Sequence, residues 1–251
     1  LLFTGLLQND LHLSSFPVAQ WPGLDYDFGM SVLIILGVIV AIVAIWWAGV
    51  YFERERRAEL LALAGRLSLT YNPDRNPELA VTYDFLNKLR QGDNRYAYDV
   101  ITGTYQQQPV CCFSYHFETH HTNSKGRRTT HHHHLAVIAI SLPRSFPELL
   151  IGSEGVLSRI AQAFGYDDID FESHEFSRQF CVRSPDKKFA YDFCNAPMME
   201  YLLANPDLTL EVDQRALAFI QDSRLSVQNL ERDLNRLIQV RLHMPKYLFD
   251  T

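Results

Sequence analysis

Between Phe28 and Phe52 the chain carries 25 consecutive residues, FGMSVLIILGVIVAIVAIWWAGVYF, without one charged side chain. A helix of that length crosses a hydrocarbon core of ~30 Å with some tilt. A helix packed on a soluble core is apolar along one face, not around its whole circumference. The segment is therefore read as a membrane-spanning helix, and it constrains everything that follows.

Orientation follows from the flanks. The first 53 residues contain no Lys or Arg, only Asp10, Asp25, Asp27 and Glu53, and Arg54, Arg56 and Arg57 come directly afterwards. Basic residues stay on the cytoplasmic side, which predicts an N-terminus outside and a folded C-terminal part in the cytoplasm. A cleaved signal peptide has a basic start, a short apolar core and a small-residue cleavage site. An acidic flank, a longer run and trailing arginines read as an anchor instead. Trp46, Trp47 and Tyr51 fit an inner aromatic belt, and Trp21 and Tyr26 an outer one. Gly37, Ala41, Ala44 and Ala48 fall on one stripe, where a second helix can approach closely. The span holds no His, Asp, Glu, Lys or Arg. It offers no path for ions or protons and no imidazole for a haem or chlorin.

Four segments are expected: an extracytoplasmic tail (1–27), the transmembrane helix (28–52), a juxtamembrane helical segment (53–92) and a cytoplasmic α+β domain (93–251). The net charge of −6 argues against a dedicated nucleic-acid partner. Membrane lipid and other transmembrane subunits are the expected partners. Cys111, Cys112, Cys181 and Cys194 include no CxxC pair and read as packed thiols in a reducing compartment.

The anchor helix should continue to Leu67, since Leu60, Leu63, Ala64 and Leu67 keep a helical stripe. Glu78–Leu89 is expected to be a helix ending near Gly92. Tyr96–Tyr105 and Val110–Glu118 flank QQQP as a hairpin. In the second strand Cys111, Phe113, Tyr115 and Phe117 share one face and Cys112, Ser114, His116 and Glu118 the other, the pattern of a half-exposed antiparallel strand. A turn, Asn123–Arg128, leads into a third strand, His131–Pro143. Ser153–Gly165 reads as a helix with Val156, Leu157, Ile160 and Phe164 on one face, and His174–Ser184 as a strand. Pro185–Cys194 and APMMEYLLAN read as helices, and LTLEVD and RALAFIQ as a hairpin around Asp213 and Gln214. Ser226–Pro245 is an amphipathic helix with Leu230, Leu234, Leu237, Ile238 and Leu242 inward. Strands and helices come in blocks, which predicts an α+β class with a mostly antiparallel sheet.

Seven of the ten histidines lie between residues 116 and 134. Imidazole is the commonest ligand for zinc, nickel and copper. The meander brings strand ends together, so His116, His120, His121, His131 and His133 are the candidate ligands of a divalent transition metal. Alternation separates His131 and His133 from His132 and His134. No Cys, Asp or Glu at metal-ligand spacing completes the set, and Arg127 and Arg128 in the turn oppose a cation, so no cofactor is expected. A solvated hairpin tip is the plainer assignment. The acidic run Asp167, Asp168, Asp170, Glu172 and Glu175 lacks the register of a calcium loop and reads as a solvated loop. G-x-S-x-G, H-E-x-x-H, P-loop, G-x-G-x-x-G and kinase signatures are all absent, so no catalytic residue is named.

YDVITGTYQQQPVCCFSYHFETH, LPRSFPELLIG, AQAFGYDDIDFESHEFSRQFCVRSPDKKFAYDFCNAPMMEYLL and the closing MPKYLF resemble a group of uncharacterised bacterial proteins with one N-terminal membrane helix and a cytoplasmic α+β domain. The resemblance covers roughly residues 30 to 250. It implies a shared fold and the bacterial inner membrane, and it brings no activity or catalytic residue. Two functions are expected from these features. The first is a non-catalytic, single-span accessory subunit of a larger membrane assembly, of which photosynthetic and respiratory complexes are examples. The alternative is a membrane-tethered metal sensor or enzyme that uses the histidine hairpin.

Overall fold

The computed structural model describes residues 28–122, 126–153, 155 and 167–250. The tail with Trp21 and Tyr26, and most of the Ser153–Gly165 helix with Val156, Leu157, Ile160 and Phe164, lie outside the described residues. The chain divides after Tyr51 into two units. Helix α1, Phe28–Arg66, is continuous. In the first unit every residue from 33 to 47 is exposed, and Leu33–Arg66 holds a stretch long and apolar enough to cross a membrane. Such a helix, exposed on all sides, marks a membrane-anchored chain in contact with lipid. Trp46 and Trp47 are exposed, and Trp47 stacks on Tyr51 one turn on, with ring centroids 6.0 Å apart.

The second unit is α+β, as the blocks of periodicity predict. Among the described residues, six strands form one antiparallel sheet: β1 Thr70–Asn72, β2 Asp93–Tyr105, β3 Gln108–Thr122, β4 Arg128–Gly152, β5 Cys181–Arg183 and β6 Leu210–Gln221. β1, β2, β3 and β4 pair in that order, and β4 also pairs with β5 and β6. β2 and β3 are joined through Gln106 and Gln107, both at positive φ (46° and 64°), the conformation of a two-residue hairpin whose twist matches the strands.

Four of the five described helices that follow start on a side-chain cap; at the fifth, Ser226 makes no capping hydrogen bond. The five are α2 Pro77–Thr82, α3 His174–Gln179, α4 Lys187–Phe193, α5 Ala196–Leu203 and α6 Val227–His243. Asn76, Ser173, Asp186 and Asn195 each accept a hydrogen bond from the backbone N–H three residues on, satisfying a donor that the first turn leaves unpaired.

Two apolar layers lie on opposite faces of the sheet. One joins Leu60, Leu63 and Ala64 of α1 to Cys112, Ile138, Ile140, Phe219 and the inner face of α6. The other packs Leu86, Leu89 and Ala80 on Cys111, Phe113, Tyr115, Val137 and Ile220. This corrects the expectation for β3. Residues 110–117 are buried without interruption, because the layer of α1 and α6 covers the face of Cys112 that alternation assigns to solvent, while the 77–90 segment covers the other.

Other elements also differ from their expected form. Glu78–Leu89 is not one helix: α2 stops at Thr82 and a separate 3-10 turn runs Asn87–Arg90. HEFSRQ is helical, not extended; Phe176 and Phe180 lie one helical turn apart and stack at 5.3 Å. The strand begun at His131 does not end at Pro143 but continues to Gly152. LTLEVD and RALAFIQ are one strand, not a hairpin. Gln214 takes a positive φ of 49° and pairs with Phe146, opposite the irregular stretch of β4 that contains Pro143 and Pro147. Arg215 then donates to the carbonyls of Leu142 and Pro143, at 3.2 and 3.0 Å. Pro143 and Pro147 lack an N–H, so the ladder is interrupted without the chain reversing. On α6, Leu230, Leu234, Leu237 and Ile238 are buried, but Leu242 is exposed.

Candidate functional site

The histidines sit on the β3–β4 ladder, whose register runs unbroken from Val110↔Ile140 to Thr122↔Arg128. His116 lies opposite His134, Glu118 opposite His132 and His120 opposite Thr130. Side chains alternate between faces, so His116, Glu118, His120, His132 and His134 share one face. His121, His131 and His133 share the other, with Phe117 and Thr119.

The structure therefore splits the expected ligand set. His133 stacks flat on Phe117, with ring centroids 4.6 Å apart, and its Nε2 lies 2.8 Å from the Thr119 hydroxyl. It borders a groove with Lys88, Gln91, Thr119, Leu135 and Asp222, in which Lys88 pairs with Asp222 at 2.7 Å. His121 and His131 are exposed, opposite Thr129 and Thr119.

On the first face, His116, Glu118 and His132 bring one ligand atom each within 4.8 Å of one another. His116 Nε2 is 3.3 Å from His132 Nδ1, which is 3.5 Å from Glu118 Oε1. His116 is 4% exposed and lies under the Tyr96 ring at 4.6 Å. Asn94 holds two of the three. Its backbone carbonyl is 3.2 Å from His116 Nδ1, and its side-chain amide donates to Glu118 Oε1 at 2.6 Å. That amide, with smaller contributions from His132, His116 and His120, holds the Glu118 carboxyl below its usual range. Asn94 reaches both because it takes a positive φ of 50° at a β2 bulge, a conformation that Asn tolerates better than most residues.

His120 flanks the trio, 3.8 Å from Asp93 and 3.1 Å from the Thr130 hydroxyl. His134 Nδ1 lies 2.9 Å from the Tyr98 hydroxyl, and burial together with Arg224 depresses its proton affinity. Spacing along the chain missed Glu118, His132 and Asn94. The usable signal was parity: 116, 118, 132 and 134 are all even, and a β3–β4 register pairing even with even aligns them.

Two more polar centres lie in the second unit. Asp99, fully buried at another β2 bulge with φ of 51°, accepts from Arg56 at 2.5 Å and from the Tyr71 hydroxyl at 2.8 Å. Glu211, also buried, accepts from the Asn87 backbone N–H at 2.6 Å and its amide at 2.9 Å, and the same amide donates to Glu148. Burial pushes the Glu211 carboxyl up to about 7 and raises that of Glu148. No disulfide joins the cysteines; Cys111, Cys112 and Cys194 are buried, and burial raises each thiol. In the first unit, a side-chain carbon added at Gly37 would meet nothing within 4 Å.

No family model matches the chain. No curated protein matches it. Among solved structures it is similar to the mycobacterial trehalose monomycolate transport factor A, TtfA, with 12% identity and a TM-score of 0.50. The match covers 76% of this chain and 97% of that one. At this identity the likeness concerns the fold.

Proposed function

We propose that the protein is a non-catalytic, single-span accessory subunit of a larger membrane assembly, related to the bacterial group it resembles in sequence. The carrying observation is the surface of the span: every residue from 33 to 47 is exposed, and Gly37 has open space where a side chain would be. Lipid solvates such a helix, and a stripe of Gly37, Ala41, Ala44 and Ala48 lets a neighbouring helix approach to backbone distance. In this reading the N-terminus is outside, the α+β unit is cytoplasmic, and the unit adds protein contacts to those of the helix.

Purification of the full chain from its native membrane in mild detergent tests the proposal. The expected result is a native mass well above 29.0 kDa with defined membrane proteins copurifying, and their loss in a Gly37→Leu, Ala41→Leu double variant. A clean monomer in every mild detergent would sink it. Mass spectrometry of the partners then distinguishes photosynthetic, respiratory and other assemblies.

A further inference from the structure

We infer that His116, Glu118 and His132 form a binding site for one divalent transition metal ion of the zinc class, with Asn94 as its positioning residue. This goes beyond the accessory-subunit reading and does not depend on it.

The donor spacing comes first. A metal bound tetrahedrally at about 2.1 Å from each donor sets neighbouring donors about 3.4 Å apart. The two contacts of His132 Nδ1, 3.3 Å to His116 Nε2 and 3.5 Å to Glu118 Oε1, bracket that value.

The tautomer comes second. A backbone carbonyl only accepts, so His116 Nδ1 carries the proton that points at Asn94 O. In the neutral ring this leaves the lone pair on Nε2, the atom that faces the other two ligands. Metal-bound histidines are commonly fixed this way, by donating their second nitrogen to a carbonyl or carboxylate. The Asn94 amide orients the Glu118 carboxylate in the same manner.

Ligand chemistry narrows the ion. Two imidazoles and one carboxylate suit zinc, cobalt or nickel; calcium and magnesium require oxygens, and copper(I) prefers sulfur. Three protein ligands leave a fourth position for water. Arg128 pairs with Thr122, four residues along β3 from Glu118, or about 13 Å of extended chain.

The test uses the full chain, purified in detergent without a polyhistidine tag, stripped with chelator and titrated with zinc(II) against a competing chromophoric chelator. One equivalent is expected to bind. His132→Ser and Glu118→Gln should each lower affinity at least about 100-fold, and Asn94→Gly, which keeps the backbone freedom, about 10-fold or more. His132 is largely exposed, so its replacement leaves the fold in place. A triple His121→Ser, His131→Ser, His133→Ser variant should bind as the parent does. Cobalt(II) should give visible absorption bands that vanish in Glu118→Gln. Absence of one-equivalent binding, binding insensitive to His132→Ser, or binding lost in the triple variant would each overturn the site.

Discussion

Arg56 donates a 2.5 Å hydrogen bond to Asp99, whose side chain has no solvent exposure. This contact ties the end of α1 that follows the apolar run to a bulge in the middle of β2. The arginines after the span thus serve the fold as well as the charge asymmetry of the flanks. Arg56 and Arg57 also pair with Glu53, and Arg56, the largest influence, helps hold its carboxyl below the usual range.

Removing one partner of a buried pair leaves the other charge uncompensated, which costs more than the pair contributes. Asp99→Ala should lower unfolding stability by about 3 kcal/mol, since Arg56 and Tyr71 both lose their acceptor. Asp99→Asn, which keeps the acceptor and tolerates the positive φ, should cost less. Denaturant unfolding in detergent, followed by far-UV circular dichroism, gives both values.

Adjacent leucines of α1 should respond differently. Leu60 is 0% exposed and packs into the sheet, whereas Leu61 is 58% exposed. Leu60→Ala should cost about 2–5 kcal/mol and Leu61→Ala under about 0.5 kcal/mol in the same assay. Equal effects would contradict the packing of α1 residues 52–66 against the sheet.

Gly92 has φ of 67°, and a side-chain carbon there would strike the Glu118 carbonyl oxygen and come within 2.8 Å of Phe117. Gly92→Ala should destabilise by about 1–3 kcal/mol. Because it displaces Glu118, it should also weaken zinc binding. Thermal unfolding and the zinc titration read the two effects separately.

Glu211 supplies a pH dependence of defined sign. Its folded-state pKa of about 7 exceeds the ordinary 4.5, so the native state holds the proton more tightly than the unfolded chain. Stability from this group is complete below about pH 4.5 and is lost as pH rises through about 7. The loss is on the order of 3 kcal/mol. Asp207, held low chiefly by Arg236, acts oppositely at lower pH, where its contribution disappears as it protonates. The difference between wild type and Glu211→Gln isolates the first effect: it should change between pH 4.5 and 7 and stay level outside that window.

The span, the continuation of α1 through Leu60, Leu63 and Ala64, the β2–β3 hairpin and α6 were legible because their signals are local. Uniform apolarity, a 3.6-residue stripe and a pair of strands with a short polar turn each lie within a few consecutive residues. The misread elements depend on distant partners. Gln214 looks like a turn until Pro143 and Pro147, roughly seventy residues earlier, are found to have interrupted the facing strand. Cys112, Ser114 and His116 look solvent-facing until α1 and its neighbours cover that side of β3.

The histidines separate the two kinds of information most clearly. Strand alternation, a property of covalent geometry, already divides His131 and His133 from His132 and His134. It leaves open which pair His116 joins, because that choice belongs to the register between two strands, and a shift of one residue moves every side chain to the other face. Packing of Phe113, Tyr115 and Val137 on one face, with Cys112, Ile138 and Ile140 on the other, goes with the register that sets His116 opposite His134 and Glu118 opposite His132. The ligands were visible in the chain; their company was settled by how the strands pair once both faces of the sheet are packed.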